Sequence, residues 1–267
     1  MGFGYLMTDH PGWQTDGTRY HRLVVADTGD LWLAGSSGTE LSWASVIGQS
    51  MSPPLEVFAV PTNAAPQAAP IHAPLTTFGT VGRLRNLSLW DALATAIVRQ
   101  VVRAAQARKL YRDFAGRYGP SVAVSGEMDI HSFPSPERVL ALSDEAFTES
   151  GMAFKRRTLR HAAEAFLAHG AYWQEVTPSV LVKELQVVPG IGPWSAGAAV
   201  ADWSNDWTVY PYGDLAVRTW AQRANPDYPW PIEEAAFSRV WRRVTGEHLA
   251  TYTLLTLASG CRRGGTI

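Results

Sequence analysis

The stretch Leu185–Arg218, LQVVPGIGPWSAGAAVADWSNDWTVYPYGDLAVR, decides how this chain is read. A turn with two glycines, Pro189-Gly190-Ile191-Gly192, lies between two apolar helical patterns, and a lone carboxylate, Asp214, follows downstream. Before the turn, Val182, Leu185 and Gln186 share one helical face, and Thr177 or Ser179 can cap the start around Pro178. After it, Pro193 suits a first helical position and Ser195 to Ala201 are small, helix-tolerant residues. The pattern predicts a helical hairpin over about 178–203. Gly190 and Gly192 remove side chains that would block a close approach, and they permit positive φ. The amides of Gly190, Ile191, Gly192, Trp194 and Ser195 then form a helix-start anion site, suited to a DNA phosphate.

Asp214 opens the helical pattern Leu215 to Trp220, where an aspartate is ordinarily an N-cap. The resemblance of this hairpin and aspartate to the helix–hairpin–helix DNA glycosylases implies a second use, on a glycosidic bond. Breaking a glycosidic bond builds positive charge on the sugar, and a carboxylate held nearby stabilises that charge. It also orients or deprotonates the attacking water. A capping carboxylate stays ionised, as this role needs. Asp202 and Asp206, nearer the turn, read as surface or loop acids.

Leu89-Trp90-Asp91-Ala92-Leu93 and Ile97-Val98-Arg99-Gln100 resemble the opening helix of the AlkA-type 3-methyladenine glycosylases. Phe133 to Glu137 and Gly151 to Arg156 resemble that family's connecting segments, so the likeness spans roughly residues 85 to 260. It implies a monofunctional glycosylase that flips a damaged, alkylated purine out of double-stranded DNA and hydrolyses its glycosidic bond. Asp214 would be catalytic. Trp194, Trp241 and Tyr212 would line the base pocket, where aromatic faces attract a cationic base. Gln100 and Val101 would fill the gap left by the flipped base. Arg99 and Arg103 stand where the family has a glycine and a serine; four apart on one face, they would meet phosphate. Ala198 stands where some relatives carry a tyrosine. Strand-nicking members place a lysine where this chain has Trp194, so no lyase step is expected. A structural Na+ or K+ on the hairpin carbonyls would be the one cofactor. Two rivals fit the same scaffold: a lesion-binding protein without catalysis, and a nucleoside or nucleotide N-glycosidase using Arg99 and Arg103.

Composition narrows the field. The chain has 267 residues and a formal charge of −1, divided into −4 over residues 1–80 and +3 over 81–267. The basic excess travels with the hairpin, where phosphate contacts would be made. One cysteine, Cys261, excludes an internal disulfide and a four-cysteine iron–sulfur cluster. The seven histidines form no metal-site spacing. The N-terminal sequence has no secretory pattern and no stretch is apolar enough to span a membrane, so a cytoplasmic, nucleoid-associated monomer is expected.

The layout reads as α+β and mainly α, with a β-rich unit over 1–80 and a helical body over 81–267. Tyr20–Ala26 and Leu31–Ala34 flank the turn Asp27-Thr28-Gly29-Asp30, and Leu55–Val60 suits a further strand. Residues 61–79, with four prolines, read as an irregular connection and not a helix. Helical patterns cover 89–117, 135–147, 155–169, 178–187, 193–203, 214–224 and 232–245. The basic cluster Lys155-Arg156-Arg157 with Arg160 suits either solvent or phosphate, and Arg262 to Gly265 suit a mobile tail.

Overall fold

A computed structural model describes residues 3–48, 53–125 and 128–262. The N-terminal region holds two small sheets. Strands β2 (Gln14–Thr15), β3 (Tyr20–Val25), β4 (Leu31–Ser36) and β5 (Leu41–Ile47) pair antiparallel in that order. The second sheet sets β1 (Tyr5–Leu6) parallel to β7 (Val81–Leu84), with β6 (Leu55–Phe58) antiparallel on its other side. Trp13, Val24, Trp32 and Leu84 form the core between them.

The helical body begins at α2 (Leu89–Arg99), preceded by one short helix, α1 (Ala69–Thr76). α1 corrects the reading of 61–79 as irregular. Pro70 sits in its first turn, where no amide partner is needed. Pro74 lies inside the helix, and the Pro70 carbonyl that it leaves free accepts from Asn225 Nδ2 at 3.0 Å. Ile71 and Leu75 carry the packing against the C-terminal helices.

The pattern over 89–117 is two helices, not one. α2 ends at Arg99, Gln100 turns extended, Val101 takes φ +59, and α3 (Ala104–Tyr118) starts afresh. The pattern over 135–147 is likewise two helices, α4 (Pro136–Ala141) and α5 (Asp144–Glu149), because Ser143 caps the second through Ala146 N. α6 (Arg156–Glu175), α7 (Pro178–Leu185), α8 (Pro193–Ser204), α9 (Leu215–Ala224) and α10 (Glu234–Thr245) lie where helices are expected. The last helix, α11 (Leu249–Arg262), escapes periodicity because Tyr252 to Gly260 are all buried, leaving no polar stripe. A hairpin, β8 (Ser121–Ser125) with β9 (Met128–His131), was also not expected; Ile130 buries it against Leu23 and Leu31. Of the expected tail, Arg262 belongs to α11, its guanidinium over the Tyr5 and Phe78 rings. Residues 263–265 lie outside the described residues.

Two apolar cores result. One joins α2 to α8 through Leu93, Ile97, Phe114, Leu159, Leu185 and Val200. The other gathers α1 and α9 to α11 around Trp230, Phe237, Trp241 and Tyr252. A buried polar seam fastens the N-terminal sheets to this body. Asp91 on α2 accepts from Tyr111 at 2.7 Å, Asn86 at 2.9 Å and His10 at 3.0 Å, and pairs with Arg22 of β3 at 3.4 Å. Burial alone would raise the Asp91 carboxyl; the His10 donor, the Arg22 guanidinium and the Tyr111 hydroxyl outweigh it and hold the carboxyl well below its usual range. His10 accepts from Gly12 N at Nδ1, which leaves Nε2 to carry the proton toward Asp91. Burial, with Arg22 close by, keeps this imidazole neutral by pushing its pKa down. Among the described residues no helix is long and apolar enough to cross a membrane.

Candidate active site

The hairpin joins α7 and α8 and is anchored from below by Leu181, Leu185, Val188 and Ile191. Gly190 has φ +90, and a Cβ there would lie 2.5 Å from Thr158 Oγ1 of α6. Both facts require glycine. Gly192 differs from expectation: its φ is −92, and it leaves open space without using the left-handed region. The amides of Gly190, Gly192, Trp194 and Ser195 find no acceptor among the described residues and form the free helix start. The Ile191 amide is corrected out of that set, because it donates to Val188 O at 3.0 Å.

The Gln100–Val101 turn sits beside the hairpin. Gln100 Nε2 donates to Gly190 O at 3.0 Å and Ser195 Oγ at 2.7 Å, so its side chain braces the turn. That corrects one expectation, since Gln100 is not the projecting group; the Ser195 hydroxyl is buried and engaged, while the Ser195 amide stays free. Lys155 Nζ donates to Gln100 O at 2.6 Å, and burial pushes its ammonium down to about 8. Held on both sides, the turn presents Val101 fully exposed in a left-handed conformation that a β-branched residue rarely adopts. Phe154, 57% exposed and under the Lys155 ammonium, is a second apolar group at this turn that sequence reading did not single out.

Asp214 stands at the N-cap position of α9, yet its side chain makes no capping bond. Its Oδ2 accepts instead from the Tyr210 hydroxyl at 2.8 Å. Burial and the neighbouring carboxylate push the Tyr210 hydroxyl up, so it remains a donor. Gly213 lets the chain reach this position: a Cβ would meet Ser238 Oγ at 2.4 Å and Glu234 Cγ at 3.0 Å on α10. Tyr210→Phe is expected to slow any chemistry at Asp214 about tenfold, the loss of one charge-assisted bond, with ligand affinity unchanged. Single-turnover rates beside binding isotherms would separate the two.

Asp214 opens into a cleft of about 620 Å³ between the two helical cores. Trp194, Val101, Arg99 and Arg103 line it from the hairpin side, as Asp214 does from α9. Trp241 does not: it is fully buried, stacked on Phe237 at 5.5 Å, with Nε1 donating to Thr253 Oγ1 at 3.0 Å. The apolar face of α10 carries it into the second core, where an indole with a satisfied N–H packs well. Tyr212 also turns away, its hydroxyl accepting from Arg242 Nε at 3.0 Å. In their place the floor presents Tyr210, Trp207, Arg83 and Asp9. Asp202, read as a surface acid, is buried and paired with Arg83, which also bonds Asn205 and lies 4.8 Å over Trp207. Tyr210, four residues before Asp214, is not among the expected site residues, and Arg83 and Asp9 carry no sequence signal. Cys261 reaches the same cleft, and burial pushes its thiol up to about 12, so it supplies no thiolate.

No protein-family model and no curated protein matches the chain. Solved structures do. A 3-methyladenine DNA glycosylase from Archaeoglobus fulgidus is similar over 96% of this chain and 92% of its own, at 20% identity and TM-score 0.69. An 8-oxoguanine glycosylase/lyase from Clostridium acetobutylicum, bound to double-stranded DNA, is similar over 97% and 90%, at 13% identity and TM-score 0.70. A Schizosaccharomyces pombe 3-methyladenine DNA glycosylase bound to abasic DNA is similar over 65% and 81%, at 17% identity and TM-score 0.52. The chain has the fold of these DNA glycosylases, and the likeness to the first two spans nearly all of it, N-terminal sheets included.

Proposed function

We propose that the chain is a monofunctional DNA glycosylase of base excision repair. It acts as a monomer on double-stranded DNA, in the cytoplasm, and leaves an abasic site. One observation carries the reading: a helix-start carboxylate, Asp214, that declines its capping bond and is turned by Tyr210 into a cleft beside the free hairpin amides. The amides grip the phosphodiester next to the lesion, and Arg103, exposed at the start of α3, adds a phosphate contact. The nucleotide flips into the cleft against Trp194, and Val101 enters the vacated stack. As the C1′–N bond breaks, its electron pair leaves with the base. Asp214 offsets the charge growing on the sugar. A water oxygen bonds to C1′ and yields a proton to Asp214 and then to solvent.

No lysine stands at Trp194, and Lys155 is held on Gln100 O, which supports hydrolysis without a Schiff base. Damaged duplex incubated with the protein should therefore release free base, show no nick before hot alkali, and form no borohydride-trapped adduct. A nick before alkali would defeat the monofunctional part; no base release would defeat the whole. A Na+ or K+ at the hairpin remains part of the proposal; Gly190 O, a carbonyl of the turn, already accepts from Gln100.

Val101 yields an expectation with opposite signs on stability and rate. Val101→Gly relieves a left-handed β-branched residue, so unfolding free energy should rise by about 1 kcal/mol. Base release should fall, because nothing then props the stack. Chemical denaturation beside single-turnover release checks both; a rate at or above wild type would remove Val101 from the gap-filling role.

A further inference from the structure

Resting on the glycosylase reading, the cleft suggests which bases it takes. A flipped base is ordinarily held in a snug pocket. The 620 Å³ here lies instead within the roughly 300–1,000 Å³ of sites that hold drug-sized molecules. The room has an identifiable source. Trp194, Ala198 and Asp202 follow one another at four-residue spacing along the cleft side of α8, and the residue one turn past the indole is only a methyl group. Ala104 and Ala107 of α3 and Ala216 of α9 line the same space. The cleft therefore runs on to Leu257 and Cys261 of α11.

The lining carries more hydrogen-bond donors than acceptors. Four arginines line the cleft (Arg83, Arg99, Arg103 and Arg108) against three acids, Asp9, Asp202 and Asp214. The floor, moreover, is short of acceptors. Trp207 is 3% exposed and Arg83 1% exposed, and Trp207 Nε1 and Arg83 Nε are buried with no hydrogen-bond partner among the described residues. Both residues line the cleft. Buried donors left unpaired are costly, and a ligand oxygen reaching them would remove that cost.

We propose that the cleft selects a purine carrying a bulky aryl adduct with an oxygen acceptor, Ala198 setting the width and Trp207 supplying the donor. A methyl adduct would leave both the space and the donors unused.

The test uses duplexes bearing one 7-methylguanine, one N7-(2-phenylethyl)guanine or one N7-phenacylguanine, each release rate divided by its spontaneous rate. Wild type should release the phenylethyl base about tenfold faster than the methyl base, and the phenacyl base faster still. Ala198→Tyr should lower the phenylethyl-to-methyl ratio about tenfold, and Ala104→Leu should lower it less. Trp207→Phe should lower the phenacyl-to-phenylethyl ratio by about tenfold, the cost of a lost donor. Thermal unfolding establishes that each variant is folded. Fastest release of 7-methylguanine by wild type overturns the proposal and leaves the glycosylase reading standing. Ratios unmoved in folded variants overturn it too. Release of none of the three bases takes down both.

Discussion

Asp214→Asn is expected to slow base release by about 10²–10³-fold, equivalent to about 2.7–4 kcal/mol of lost transition-state stabilisation. The substitution is nearly isosteric, and an asparagine oxygen can still accept from the Tyr210 hydroxyl. The side chain should therefore keep its place in the cleft while losing the charge that opposes the developing cation. Affinity for lesion duplex should stay unchanged, since the hairpin amides and the arginines are untouched. Binding isotherms with single-turnover release by wild type and variant make the comparison. Equal rates would mean that Asp214 is only a helix-start residue, and the proposed chemistry would lose its one carboxylate with a catalytic position. Loss of binding together with rate would point to a folding defect, which thermal unfolding would reveal.

Asp91→Asn is expected to be the most damaging polar substitution for stability, although Asp91 lies away from the proposed chemistry. It leaves Arg22, 1% exposed, without its counter-charge and weakens the bonds from His10, Asn86 and Tyr111. Breaking one partner of a buried ion pair costs about 3–5 kcal/mol. For a chain of this size that corresponds to a Tm lower by roughly 6–20 °C. The same seam makes the protein acid-sensitive. His10 has its folded pKa below the unfolded value of about 6.5, so the unfolded chain takes up the proton first. Stability should thus fall as pH drops below about 6.5. Asp91, also depressed, adds to the loss as pH falls further toward and below the ordinary carboxylate range of about 4. Tm should hold level from pH 8 to about pH 6.5 and decline from there to pH 4, and His10→Gln should flatten the upper part of that decline. A flat wild-type profile would show that the seam does not titrate as described.

These two sites differ in how they announced themselves. Asp214 and Gly190 were legible because their constraints are local: a carboxylate opening an apolar helical pattern, and a glycine at a tight turn between helices. The strands β3 and β4 and helices α7 to α10 were legible for the same reason, since each carries its own period and its own stop signal. α11 was not, because a helix buried on every side has no amphipathic stripe to read. The split between α2 and α3 was hidden too, since Gln100 and Val101 break the helix only when the hairpin and Lys155 hold them in place.

The chain by itself thus determined the hairpin, its aspartate, the order of sheet and helices and, by resemblance, a glycosylase reading. Only the tertiary structure decided which aromatic groups face the cleft. Eleven tryptophans are alike in sequence, and tertiary packing set Trp241 inside the core while placing Trp194 and Trp207 against the cleft. It also decided that Asp202 is a buried partner of Arg83, two residues more than a hundred positions apart that no local pattern connects. The physical reason is range. Turns, caps and periods are settled within a few residues, whereas a pocket is the space left where distant elements meet.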